Sequence, residues 1–244
     1  MNVFSFATCY SKTDMSQYTF MEKAEGTLYD LIEHLDEAEI EMIIIQVIFA
    51  ISSYQNNFQL QHNDLSIKNV FIEKVSSDTM YNGVLLDKTE QYTYQINTNT
   101  TITIPAIEWI SKIADFGMSV KYSRPIIGYK GALQGNLEYN IPNWYDTAYD
   151  MIFFLGNVFM MMDVDFVNKS MAWIFGLDIN ATHDEIENNI NYFEGRPPLE
   201  RLGYFGHVTP EAFLMNTDIM GWYHKKPTKR RCNSGGEMIC SIKK

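Results

Sequence analysis

His62-Asn63-Asp64-Leu65-Ser66-Ile67-Lys68-Asn69-Val70 sets an imidazole, a carboxylate and a primary amide at fixed offsets between two apolar runs. Upstream, Ile40, Ile43, Ile44, Val47, Ile48 and Ile51 recur at helical spacing, which predicts a long helix over 37–58 that delivers the chain to His62. Val70 to Glu73 reads as a short strand leaving the loop. Further along, Ile113-Ala114-Asp115-Phe116-Gly117 supplies a second acidic loop. A lone H-x-D is ordinarily a capped turn, and a lone D-F-G an ordinary tight turn. Their order matters more, between a long apolar helix and an aspartate-led apolar run that starts at Asp150.

Composition limits the function classes. The chain has 244 residues, of which 46% are hydrophobic, enough to bury a substantial core. A formal net charge of -11 and a pI near 4.9 argue against nonspecific binding to nucleic acid or anionic membrane. Basic residues gather only at the end, where Lys225, Lys226, Lys229, Arg230, Arg231, Lys243 and Lys244 suggest a flexible tail over 225–244. Cys9, Cys232 and Cys240 are too few and too scattered for a disulfide framework or a zinc site, so a reducing compartment is expected. No stretch has the apolar length of a membrane span, and Met1 to Tyr10 lacks the pattern of a signal peptide. These features predict a soluble cytoplasmic protein with no membrane partner. His183, His207 and His224 have no partners at ligand spacing and read as surface or structural residues.

Taken together, H-x-D-L-x-x-x-N-V and D-F-G resemble the catalytic loop and the metal-binding loop of the eukaryotic-type protein kinase superfamily. The resemblance implies an α+β, mainly helical fold like the C-lobe of those enzymes. Residues 1–21 would be a remnant of N-lobe strands and 22–224 the C-lobe-like domain, followed by the basic tail 225–244. It also implies ATP and Mg2+ as cofactors, with a protein substrate carrying Ser or Thr hydroxyls. Asp64 would be the catalytic base, Asn69 and Asp115 the Mg2+ ligands, and His62 a brace between the loops. Lys68 would reach the transferred phosphate; an exposed lysine without that role fits the same position. Met21-Glu22-Lys23-Ala24 looks like a hinge, so the backbone of Glu22 and Ala24 would meet the adenine edge, although an edge strand entering an ordinary helix fits too. Asp150 would brace the catalytic loop from below, with Asp146 as the alternative.

The chain also departs from that pattern. Asn63 stands where an arginine often links the loop to a phosphorylated activation segment, which puts that form of control in doubt. Ser66 stands where serine/threonine kinases commonly carry lysine. Residues 118–140 suit an activation segment, but Tyr139 to Trp144 occupies the place of A-P-E without its glutamate. Between catalytic loop and D-F-G, residues 74–111 form a long insertion whose alternation at Tyr92, Tyr94, Ile96 and 101–104 predicts ordered β-structure. Similarly extended connections are associated with kinase-like proteins of large cytoplasmic DNA viruses. Before Met21 there is no glycine-rich loop and no V-A-I-K-like lysine; Gly26 is the first glycine. The expectations are a split kinase completed by a separately encoded N-lobe, a catalytically inactive pseudokinase, or a C-lobe mimic that binds another kinase. The run from Asp150 to Phe166 reads as one buried helix, with Met160, Met161 and Met162 as core filler. Thr182 with Glu185, and Thr209 before Pro210, read as helix starts.

Overall fold

The computed structural model describes residues 3–10, 15–21, 23–76, 80–81, 84–85, 89–97, 99–121, 146–194, 208–221, 223 and 236–241. In chain order the strands are β1 (Val3–Tyr10), β2 (Met15–Met21), β3 (Gly26–Thr27), β4 (Leu60–Gln61), β5 (Val70–Lys74), β6 (Met80–Tyr81), β7 (Val84–Leu85), β8 (Thr89–Gln95), β9 (Thr101–Pro105), β10 (Trp109–Ile113), β11 (Val120–Lys121) and β12 (Gly236–Ser241). The helices are α1 (Leu28–Leu31), α2 (Glu37–Phe58), α3 (Tyr149–Met161), α4 (Asp165–Phe175), α5 (His183–Glu194), α6 (Pro210–Met215) and α7 (Thr217–Met220). The fold is α+β, with small sheets set against a helical core.

Helix α2 is the axis of that core. It starts with a capping box in which the Asp36 side chain accepts from Glu39 N (2.8 Å) and Glu39 accepts from Asp36 N (3.0 Å). It ends at Gln59, whose left-handed backbone (φ 53°) turns the chain toward the His62–Asn69 loop. Ile40, Met42, Ile43, Ile44, Ile45, Val47, Ile48, Phe49 and Ile51 are all buried, so α2 is enclosed on nearly every side.

The strands that flank the loops pair in a sheet ordered β10-β5-β3, antiparallel throughout. This sheet joins the exit of the His62–Asn69 loop, the approach to Asp115 and the segment after the hinge-like residues. β1 and β2 pair antiparallel within the stretch 1–21 where strands are expected.

The 74–111 insertion belongs to the core. Tyr92, Tyr94, Ile96, Ile102 and Ile104 are buried in the same cluster as α2, and the rings of Phe49 and Tyr94 lie 4.5 Å apart. Gln46 of α2 locks its far end: Oε1 accepts from Ser111 N (2.9 Å) and Ser111 Oγ (3.2 Å), while Nε2 donates to Trp109 O (3.2 Å). Trp109 Nε1 donates in turn to Glu39 Oε1 at 2.8 Å.

Two expectations change. Part of the expected flexible tail, Gly236–Ser241, is strand β12, which pairs in parallel with β8. Its apolar run Met238-Ile239-Cys240 meets the edge of β8 that β9 leaves open, where unpaired backbone groups accept another strand. The apolar run from Asp150 is two helices, with extended backbone at Met162 and Val164, and Asp163 Oδ1 accepting from Asn168 Nδ2 at 2.6 Å. Met160 (65% exposed) and Met161 (40%) lie on the outer face of α3 instead of filling the core.

The caps at Thr182 and Thr209 form as the sequence predicts. Glu185 Oε2 accepts from Thr182 N at 2.8 Å, and Thr209 Oγ1 accepts from Ala212 N at 3.0 Å. Among the described residues no helix is long and apolar enough to cross a membrane. Glu22, residues 122–140 of the activation-segment-like stretch 118–140, the A-P-E-like Tyr139–Trp144, His207, His224 and the tail residues 224–235 and 242–244 lie outside the described residues.

Candidate functional site

The site is built from underneath by one buried carboxylate. Asp150, in the first turn of α3, is completely buried and receives three hydrogen bonds. Its Oδ2 accepts from Tyr54 Oη (2.7 Å) and His62 N (2.8 Å), and its Oδ1 from Asn63 N (2.9 Å). Burial pushes the Asp150 carboxyl above its ordinary range, against the pull of the His62 amide, the Tyr54 hydroxyl and the Asn63 amide. Asp146 acts instead at the entry to α3, where its Oδ1 accepts from Ala148 N (2.9 Å), and burial raises its pKa too.

Polar side chains extend the brace. Gln61, fully buried on β4, accepts from Asp146 N through Oε1 (2.8 Å) and donates through Nε2 to Asn63 Oδ1 (2.7 Å). Asn63 adopts a left-handed backbone (φ 67°), a conformation asparagine tolerates better than most residues. Its Nδ2 donates to Met118 O at 3.0 Å, tying the loop to the residues after D-F-G. The pairing of β4 with β11 repeats that tie in the backbone.

The two loops are joined at Ala114. His62 Nε2 lies 2.9 Å from Ala114 O, and His62 Nδ1 accepts from Asp64 N at 3.3 Å. The tautomer with its hydrogen on Nε2 satisfies both contacts. Ala114 N donates to Asn69 O at 2.9 Å. The Phe116 ring sits 4.7 Å from the His62 ring and 6.0 Å from that of Tyr54, yet Phe116 stays 42% exposed.

Asp64 and Asn69 meet directly. Asn69 Nδ2 donates to Asp64 O (2.7 Å) and to Asp64 Oδ2 (3.2 Å). Among the described residues no hydrogen bond reaches Asn69 Oδ1 or Asp64 Oδ1, oxygens of the kind that can accept from a cation or a proton donor. Asp115 stands at the start of the D-F-G turn in left-handed backbone (φ 58°), exposed, its Oδ1 accepting from Gly117 N at 3.3 Å. A Cβ on Gly117 would lie 3.1 Å from that oxygen, so the turn is tight enough to favour glycine.

The remaining expected residues are dispersed. Lys68 is exposed and turned toward α1, its Nζ 4.8 Å from the Tyr29 ring centroid. Ala24 is half-buried just before β3, on the side of β5 that β3 pairs with, where Glu25 N donates to Ile72 O at 2.9 Å. Among the described residues no three His, Cys, Asp or Glu cluster as a metal site. The available donors are the carboxylates of Asp64 and Asp115 and the amide oxygen of Asn69, hard oxygens of the class Mg2+ prefers.

Tyr54, Gln61 and Tyr29 escape the sequence pattern. Tyr54 is one more residue on an enclosed helix, and nothing in its spacing marks it as the partner of Asp150. Gln61 carries a weak signal, a glutamine next to the motif in a strand that turns out to be buried. His183 is structural as expected, stacked 4.0 Å from the Phe159 ring. Compared with protein-family models and with curated proteins, the chain matches none.

Proposed function

We propose that this chain supplies the lower half of a phosphoryl-transfer site of the protein-kinase type, directing the γ-phosphate of ATP to a Ser or Thr hydroxyl of a protein. The observation that carries the reading is the contact of Asn69 with Asp64, joined through Ala114 to Asp115. Asp64 accepts and orients the acceptor hydroxyl, taking its proton as the new P–O bond forms. Asn69 Oδ1 and Asp115 would hold Mg2+, which when bound offsets charge on the phosphate oxygens. His62 and Asp150 fix the geometry without touching the reactants. Closure over the phosphates is the role of a separately encoded N-lobe with a glycine-rich loop and a strand lysine, and without it these residues turn over negligible ATP.

A second reading, a regulator that binds another kinase, draws on the exposure of Phe116 at the mouth of the site. The two separate in one titration series. On the first reading the chain binds a fluorescent ATP analogue only with Mg2+, Asp115→Ala and Asn69→Ala abolish that binding, and Asp64→Ala keeps it. Nucleotide binding indifferent to Mg2+ and to both substitutions sinks the enzyme reading.

A further inference from the structure

Helix α3 buries one side and leaves another bare. Asp150, Met151, Phe154, Leu155, Val158 and Phe159 are buried, while Phe153 (36%), Met160 (65%) and Met161 (40%) are exposed. Along the outer side Tyr149, Phe153, Gly156 and Met160 recur at spacings of four, three and four, the interval at which one helix meets another along a seam. The Tyr149 and Phe153 rings stack with centroids 6.0 Å apart and 6° between their planes, so the aromatic end of this seam is already ordered. Gly156 lies in its middle with no cause in the chain's own packing: a Cβ built there meets nothing within 4 Å. A glycine inside a helix is destabilising relative to alanine, and here no close neighbour requires it. Charge adds a second constraint. Asp150 is the only charged residue of α3 and it is buried, so the seam is uncharged on a chain of net charge -11. Two copies repel one another over most of their surface and approach most easily along such a strip.

We propose that this seam is the interface of a homodimer, in which α3 packs antiparallel against α3 of a second copy about a two-fold axis between Phe154 and Leu155. That alignment sets Phe153 of each copy in the gap at Gly156 of the other, and Tyr149 of each against Met160 of the other. The seam is complementary to itself, and the two-fold axis makes each of these pairs twice. A different protein would need a ring and a gap of its own at matching places; a second copy carries both. About three helical turns make a short interface, so the dimer is weak and depends on concentration. The same helix carries Asp150, so the brace under the His62–Asn69 loop and the interface share one element.

The test is sedimentation equilibrium of the full chain over a series that reaches millimolar concentration. A reversible monomer–dimer equilibrium is expected, tightening with added salt as the repulsion between like-charged copies is screened. Gly156→Leu fills the gap and weakens association by about tenfold or more, although it adds apolar surface. The same variant melts at a higher temperature as a monomer, because leucine is the better helix former and the site is open. Met160→Glu, at a 65% exposed position, sets a charge against Tyr149 of the other copy and weakens association while the melting temperature stays as it is. A chain that is monomeric throughout the series overturns the proposal and leaves the seam to a different protein. Association that Gly156→Leu leaves equal or strengthens also overturns it, since unspecific adhesion follows exposed apolar area rather than fit. So do species larger than a dimer, which a closed two-fold contact does not produce.

Discussion

Asp150 accepts a 2.8 Å hydrogen bond from the backbone nitrogen of His62, and with its other oxygen a 2.9 Å bond from that of Asn63. One carboxylate on α3 therefore sets the start of the loop that carries Asp64 and Asn69. Asp150→Ala leaves two backbone N–H groups and the Tyr54 hydroxyl buried without this acceptor, at about 1–3 kcal/mol each. The expected loss of unfolding free energy is at least about 3 kcal/mol, read by urea denaturation with an unchanged slope. Asp150→Asn keeps the volume and one acceptor and falls between. An Asp150→Ala variant as stable as the parent would show that the loop does not rest on this residue.

The insertion gives a second test, since it fills the core rather than decorating it. Ile104 on β9 is fully buried, whereas Met160 on α3 is 65% exposed. Ile104→Ala should cost about 2–5 kcal/mol, by lost burial and the cavity left behind. Met160→Ala should stay within about 0.5 kcal/mol. Thermal unfolding of the two variants in parallel distinguishes this arrangement from one in which the insertion hangs free; equal small effects would contradict it.

The loop geometry is legible because the sequence marks it with residues that have few other uses there. An aspartate heading an apolar run at Asp150 has to be hydrogen-bonded if it is buried, and the motif places its donors. The caps at Thr182 and Thr209 are legible for a similar reason: they are local, and their offsets are set by helix geometry. Contacts that depend on which surfaces meet are not. Alternation at Tyr92, Tyr94, Ile102 and Ile104 predicts strands, but it cannot say that their inward face lands on Phe49 of α2. Likewise Met238 to Cys240 is too short an apolar run to announce a parallel partner in β8. The break between α3 and α4 falls at Met162-Asp163-Val164 inside a largely apolar run, and its signal is the pair of exposed aspartates Asp163 and Asp165, the first of which accepts from Asn168 in the opening of α4.

Stability should also carry a pH signature from Glu41. Tyr223 Oη donates to Glu41 Oε1 at 2.8 Å, while burial and Glu41 itself push the Tyr223 hydroxyl far above its usual range, so it remains a donor. Glu41 is raised above its ordinary value of 4.5, first by burial, with Asp165 adding repulsion and the Tyr223 hydroxyl and Lys169 pulling back. The folded chain then holds the Glu41 proton more tightly than the unfolded chain. That contribution is fully present below pH 4.5 and is lost as pH rises through the raised folded value. Glu41→Gln keeps an acceptor for Tyr223 and removes the titration. The stability of the variant relative to the parent is expected to rise across this window and level off toward neutral pH, in thermal melts from about pH 4 to about pH 8. A flat or falling difference would contradict the assignment.

Asn63 combines two demands that substitution can separate. Its φ of 67° disfavours residues with a Cβ, and its buried amide joins Gln61 Nε2 to Met118 O. Asn63→Ala meets neither demand: left-handed backbone costs an ordinary residue about 1–2 kcal/mol, and two buried polar groups lose this partner. Asn63→Gly relieves the backbone and still loses both bonds, so it should be the more stable of the two by about 1 kcal/mol. If the amide also sets the register of the two loops, Asn63→Gly weakens Mg2+-dependent nucleotide binding even where its stability is adequate, because Asp115 caps the short turn that ends at Met118. Equal stability of the alanine and glycine variants would show that the backbone at this position is not held in the left-handed region. Nucleotide binding unchanged in Asn63→Gly would limit the amide to holding the loop together.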